Sequence, residues 1–380
     1  MEARAFRSRD LMRAPALAWS IRKMHAGFRG LLAAWAVYIV FTYAALVSSP
    51  LRDAGFLGLF RRFEFFPFLP CQGGGFLPPA IWYLGIALSI CTIILTAISV
   101  TSIAVEDLRG NIMFQTRDAF RFTRTHRSTA LVSLVVLAML PLVFIAGFAV
   151  AGLVCRLPVV GPLALAVAAL PLFFWGLAAA AVTLVFLFGL VNVPVITAWS
   201  GEDVLETVLQ AFSLVWSRPV KFLLLQVAAR LITAVSVFLL GLLVLGAALL
   251  GLATLTAVAG CTVNELFTIA LYRFPMVMDS EYAIRVISTL SAAIGTPFIA
   301  DTTAVPATVR AAGWIAGFSM LLAWLWIASY GFGTFFSAQA IIYRVLRPGK
   351  DDGSAPSSSS IEPAGAPPIE KVEPLRGDST

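Results

Sequence analysis

Runs of about 20 or more apolar residues recur along this chain, the length needed to cross roughly 30 Å of hydrocarbon at 1.5 Å of helical rise per residue. Six such runs stand near residues 30–48, 79–104, 129–155, 163–199, 222–259 and 314–343. Hydrocarbon supplies no water to satisfy backbone N–H and C=O groups, so a run of this kind crosses as a helix. With 59% hydrophobic and 12% charged residues, far below the charged content of about a quarter usual in soluble domains, one soluble core could not bury this apolar surface. The expected fold class is all-α, a polytopic transmembrane helical bundle. The expected count is about six spans. Up to eight remain open, because the fourth and fifth runs are each nearly 40 residues long. Pro171 in the fourth run, and Gly241, Gly246 and Gly251 in the fifth, are places for a kink, a strong tilt or a re-entrant piece.

Lys and Arg set the orientation. With the N-terminus inside, the inner segments hold 19 of them and the outer loops seven, and Arg230 lies within a span. The positive-inside rule then puts both termini in the cytoplasm. The same rule accounts for the net charge of +7 without a nucleic-acid partner. Residues 1–29 read as a basic cytoplasmic segment with an interfacial helix. Residues 30–346 read as the membrane domain, and 347–380, rich in Pro, Ser and Gly, as a disordered cytoplasmic tail. The long basic lead and Pro50 beside Val47-Ser48-Ser49 argue for an uncleaved first span.

Helical spacing also appears before the first, third and fifth spans. Leu17, Ile21, Met24 and Phe28 share one face; so do Leu108, Ile112, Ala119 and Phe122, and Val204, Val208, Phe212 and Val215. Arg117, Arg121 and Arg124 oppose the second face, and Asp203, Glu206, Gln210, Ser213 and Ser217 the third. This predicts three cytoplasmic interfacial amphipathic helices, the latter two over 107–126 and 202–217. Ala18-Trp19, Ala119-Phe120 and Ala211-Phe212 recur about 12 residues before a span, with His25, His126 and Arg218 six residues after each aromatic. The expected unit is an interfacial helix followed by a transmembrane hairpin, used three times. The stretch from Ala211 to Pro219, AF-x5-RP, resembles uncharacterised bacterial polytopic inner-membrane proteins built from such units. It is similar in style to the membrane domain of some glycerophosphodiester phosphodiesterases. The likeness covers about residues 105–260 and implies a bacterial cytoplasmic-membrane location. It carries over no activity, because this chain has no phosphodiesterase domain.

Chemistry-bearing patterns are sparse. The two histidines belong to no HExxH or HxxxH pattern. The acidic pairs Glu106-Asp107 and Glu202-Asp203 are expected to begin helices, where negative charge meets the N-terminal dipole. Arg230 is the one cation placed well inside a span, about 13 Å along the helix from Lys221. Gln226 and Thr233 on its own helix, and Asn192 on an antiparallel fourth span, are its expected companions in a polar cluster. Cys71, Cys155 and Cys261 map to the outer side, and two of them are candidates for a disulfide. The aromatic stretch 56–70 is expected to sit in the outer headgroup zone or to form a lid.

The expected function is non-enzymatic: membrane or envelope organisation, or membership of a membrane complex. The alternative is an uncoupled or partner-driven transporter of a small or lipid-like molecule. The expected partners are the lipid bilayer and other membrane proteins, with no cofactor, no metal and no nucleic acid.

Overall fold

The computed structural model describes residues 8–50, 55–69, 75–111, 113–156, 160–201, 203–271 and 306–347, together with positions 281, 285, 288, 289 and 292. The tail from 348, Cys71 and most of the 272–305 stretch therefore lie outside the described residues. No strand occurs among those described; the fold is all-helical. After a short 3-10 turn the helices are α1 (Ala14–Ala18), α2 (Ile21–Val47), α3 (Gly55–Phe63), α4 (Leu77–Arg109) and α5 (Thr116–Cys155). They continue with α6 (Val160–Ser200), α7 (Val204–Ser217), α8 (Pro219–Ala259), α9 (Cys261–Leu271) and α10 (Ala307–Leu346). Six of these, α2, α4, α5, α6, α8 and α10, are long and apolar enough to cross a membrane.

Each of the six apolar runs falls on one of these helices, and every helix is longer than its run. The two longest runs are single continuous helices. Pro171 and Pro194 stay inside α6, and α8 passes through its three glycines. At about 1.5 Å per residue, a helix of 40 residues is about twice as long as the hydrocarbon of a bilayer is thick.

Two of the three expected interfacial helices are not separate elements. Around 107–126 the chain finishes α4 at Arg109, turns at Gly110 with φ +85°, and restarts at Thr116. Glycine adopts this left-handed conformation without a Cβ clash, which suits it to follow a helix end. The restart is fixed by a capping box in which Asp118 accepts from the Gln115 amide at 3.1 Å. Residues 116–128 are thus the first turns of α5 itself. The first face is broken too: α1 ends at Ala18, and Ser20, in extended conformation, starts α2. Only α7 is a discrete helix. Pro219 at the start of α8 ends the α7 segment, since its ring excludes the preceding residue from helical geometry.

The helix α4 is the centre of the bundle, packing against α2, α5, α6 and α10. Its stretch from Thr96 to Val105, in the C-terminal part of the helix, is continuously buried. Small residues make this approach close. A Cβ on Gly30 of α2 would collide with Thr96, and one on Gly85 of α4 with Phe41. The α7 helix packs on α5 and α6, while α8 runs along α10 at the margin. At the opposite end of α2, α3 and the residues after it fold back. Tyr43 donates to the Glu64 carbonyl (2.7 Å), Tyr38 to that of Pro67 (2.7 Å) and Trp35 to that of Phe65 (3.2 Å). Phe60 and Phe65 pack on Trp314 of α10, so these aromatics cap the helix ends.

Candidate functional site: a polar junction and a basic cleft at one end

The N-terminal ends of α2, α5 and α8 meet the C-terminal ends of α4, α6 and α10, and most of the described polar contacts between helices gather there. Lys23 of α2 is fully buried; its ammonium lies 2.8 Å from Asp107 of α4 and donates to the Leu17 carbonyl at 2.6 Å. Arg22 contacts the other Asp107 oxygen at 3.2 Å and donates to the Phe114 carbonyl at 2.7 Å, tying α2 to the turn before α5. Arg109 pairs with Glu106 at 2.8 Å and reaches the Trp199 carbonyl of α6 at 3.1 Å.

Trp199 carries this network to α10. Its indole N–H donates to the Ala340 carbonyl at 3.3 Å. The Arg109 and Arg344 guanidinium carbons stand 5.2 and 5.6 Å from the centre of its ring system, within cation–π range. Tyr343 donates to Gln210 of α7 at 2.9 Å, and Gln210 to Glu206 at 3.0 Å. Gln226 of α8 and Gln339 of α10 exchange two hydrogen bonds of 2.8 Å.

The Glu106-Asp107 pair therefore closes α4 rather than beginning a helix. Negative charge at a helix C-terminus opposes the dipole. Lys23, Arg22 and Arg109 compensate it, and removing one partner would strand a buried charge at a cost of several kcal/mol. Asp203 is the N-cap of α7, as expected, while Glu202 lies outside the described residues. Gln210, expected on the polar face of α7, is buried.

The polar cluster expected around Arg230 does not assemble. Gln226 is buried but faces Gln339 of α10; Asn192 is buried and donates to the Phe188 carbonyl of its own helix at 2.8 Å. The Thr233 hydroxyl is buried and lacks a hydrogen-bond partner. Arg230 points outward from the margin of the bundle and is exposed, with no hydrogen bond to the other three. The reason is facing: α8 meets α6 near its start, where Phe222 packs edge-on against Phe188 with ring centres 4.9 Å apart, and then runs along α10 with Gln226 turned to Gln339 and Arg230 off the packed side.

Beside the junction lies a cleft of about 360 Å³ between α2, α4 and α5. Each helix gives it one face. From α5 come Phe120, Thr123, Arg124 and Arg127, spaced i, i+3, i+4, i+7; from α4 come Thr92, Leu95, Thr96 and Ser99 at the same spacing; α2 adds Arg29, Gly30 and Ala33. The floor is made of buried hydroxyls, with Ser99 and Thr123 2.7 Å apart. Arg29 stands 5.6 Å from the centre of the Phe120 ring. No acidic side chain lines the cleft.

Comparison with known protein families, with characterised proteins and with solved structures gives no match for this chain. Within the junction, Asp107 of α4 is neutralised by Arg22 and Lys23 of α2, which fastens those two helices together, and Glu106 pairs with Arg109 of its own helix. In the cleft the cations have no such partner among the described residues. His25 is exposed, and His126 stacks on Phe122 with ring centres 4.2 Å apart. Among the described residues no three His, Cys, Asp or Glu side chains converge as a metal site would need. Cys155 carries a free thiol; Cys71 and the Cys261 side chain lie outside what is described, and with them the expected outer disulfide.

Sequence reasoning missed the Lys23–Asp107 pair and the cleft. The repeated i, i+3, i+4, i+7 spacing on α4 and α5 was legible, but nothing in the sequence said that those two faces meet.

Proposed function

We propose that this chain is a non-enzymatic, multi-pass protein of the bacterial cytoplasmic membrane. Both termini are cytoplasmic, and it acts as a scaffold in membrane or envelope organisation or within a membrane complex. The observation that carries this reading is the junction. Buried ion pairs and side-chain hydrogen bonds fasten α2, α4, α6, α7, α8 and α10 at one end. A carrier that alternates its access must part its helices at each end in turn. Parting them here would strand Lys23, Asp107 and Gln226, so a rigid platform fits this end better.

Orientation rests on the 19-to-7 distribution of Lys and Arg. In this reading α7, with its apolar stripe, lies along the cytoplasmic interface, and the three segments beginning near Ala18, Ala119 and Ala211 are copies of one unit. The second reading, an uncoupled or partner-driven transporter of a small or lipid-like molecule, is favoured by the cleft alone.

Cross-linking and quantitative mass spectrometry of the protein extracted in its native lipid tests the proposal. A stoichiometric protein partner is expected. A partner-free monomer that moves a solute across liposome membranes would contradict it. A reporter active only in the cytoplasm, fused after residue 350, is expected to be active; silence with the protein present would reverse the orientation.

A further inference from the structure

We propose that the cleft between α2, α4 and α5 binds a phosphate group, that of an anionic phospholipid from the leaflet at this end of the bundle. The inference stands independently of the scaffold reading.

Three features of the cleft carry it. The first is charge. Arg29, Arg124 and Arg127 converge on one concavity, and none has a carboxylate partner among the described residues. Like charges gathered in a cleft with low-dielectric walls repel one another and focus a positive potential, which an anion relieves. Elsewhere at this end, Arg22, Lys23 and Arg109 each have a carboxylate. What sets the cleft apart is that three such cations, Arg29, Arg124 and Arg127, line one concavity.

The second is chemistry. Guanidinium groups match phosphate oxygens with paired N–H donors. The buried hydroxyls of Thr96, Ser99 and Thr123 give the cleft a polar floor. Each already donates to a carbonyl of its own helix, so the arginines supply the donors to the anion.

The third is depth, and it selects a lipid over a soluble phosphate compound. Arg29 and Arg127 stand within two residues of where the apolar runs 30–48 and 129–155 begin. The cleft then continues past Gly30 to Ala33 and Leu95, deeper in the apolar layer. A cationic mouth at headgroup level leading into an apolar half has the polarity profile of a phospholipid. At the cleft wall Gly30 lets α2 come into contact with Thr96 of α4.

The test uses full-length protein purified in detergent and native mass spectrometry, with dioleoyl phosphatidylglycerol as probe and dioleoyl phosphatidylcholine as the zwitterionic control. Selective retention of phosphatidylglycerol is expected. The triple variant Arg29→Gln, Arg124→Gln, Arg127→Gln should lower it by about tenfold or more. A charge-matched triple outside the cleft, Arg117→Gln, Arg121→Gln, Lys221→Gln, should lower it less than about twofold. Equal losses in the two triples would overturn the proposal, because diffuse attraction to a basic surface would then suffice. Unchanged retention in the cleft triple would overturn it as well.

If that triple fails to fold, Ala33→Phe keeps every charge and obstructs the apolar half. It should lower retention by about threefold or more, and wild-type retention there would count against the site. Inorganic phosphate at about 10 mM should leave lipid retention unchanged, since charge alone at this depth does not hold the lipid. Displacement by phosphate would overturn the lipid assignment and give the cleft to a soluble phosphate compound.

Discussion

The helices α4 and α8 are alike in hydropathy and opposite in place. The most apolar window of α4 has a mean hydropathy of 2.2 and is 56% buried; that of α8 has 2.6 and is 6% buried. Hydropathy therefore finds spans but does not rank them from centre to margin. What separates these two is side-chain size and polarity. The buried side of α4 carries Gly85, Ser89, Thr96, Ala97, Ser99, Thr101, Ser102 and Ala104. Small residues let backbones approach, and hydroxyls find carbonyl partners within the helix. On α8, Leu223, Leu224, Val227, Leu231, Val235 and Phe238 are exposed, as suits a surface solvated by acyl chains. Between these two the greasier helix is the outer one, because lipid tails are as apolar as leucine and offer no drive to hide it.

Five substitutions sharpen or break this contrast, each read by SDS-driven unfolding of the purified protein in mixed micelles. The largest effect is expected at the polar end of the central helix. Asp107→Ala strands Lys23 in a buried site and should cost about 3–5 kcal/mol. The double variant Lys23→Met, Asp107→Leu should recover a good part of that loss; no recovery would mean that the pair is not coupled. Next comes close packing on the apolar part of α4. Gly30→Leu drives a side chain into Thr96 and should cost about 1–3 kcal/mol or more. Leu231→Ala on the exposed face of α8 should change stability by less than about 0.5 kcal/mol, and a comparable loss at both positions would erase the contrast.

The Gln226–Gln339 pair is the polar anchor that α8 does have. Gln226→Leu leaves a buried amide unpaired and should cost about 1–3 kcal/mol, most of it recovered when Gln339→Leu is added. Smallest is Arg230→Leu, expected within about 0.5 kcal/mol of wild type. A loss of more than 1 kcal/mol would show, against the structure, that Arg230 has a partner inside the bundle.

Arg230 also marks how far the sequence alone could be followed. Its depth along α8 was legible, because rise per residue is fixed. Its direction was not drawn from the same data, although the buried residues Phe222, Leu225, Gln226 and Ala229 trace a stripe. At 100° per residue Arg230 falls about 90° from the centre of that stripe, so a facing argument would have put it outside. The six spans were legible for the opposite reason: an apolar run about 20 residues long has few alternatives in water or lipid. The helix expected across 107–126 is interrupted at Gly110, because a left-handed glycine ends a helix that the apolar periodicity alone would continue. The cleft required tertiary knowledge. Its three arginines come from helices nearly 100 residues apart in sequence, and each alone looks like an ordinary interfacial cation.

The most direct test of the central claim is oxygen accessibility of spin labels in the full-length protein, reconstituted in bilayers with its four native cysteines replaced by alanine. Labels at Ile98, Val100 and Ile103 of α4 are compared with labels at Leu231, Val235 and Phe238 of α8. The account predicts low accessibility at all three α4 positions and the high values of lipid exposure at all three on α8. Equal accessibility on the two helices, or the reverse order, would contradict it.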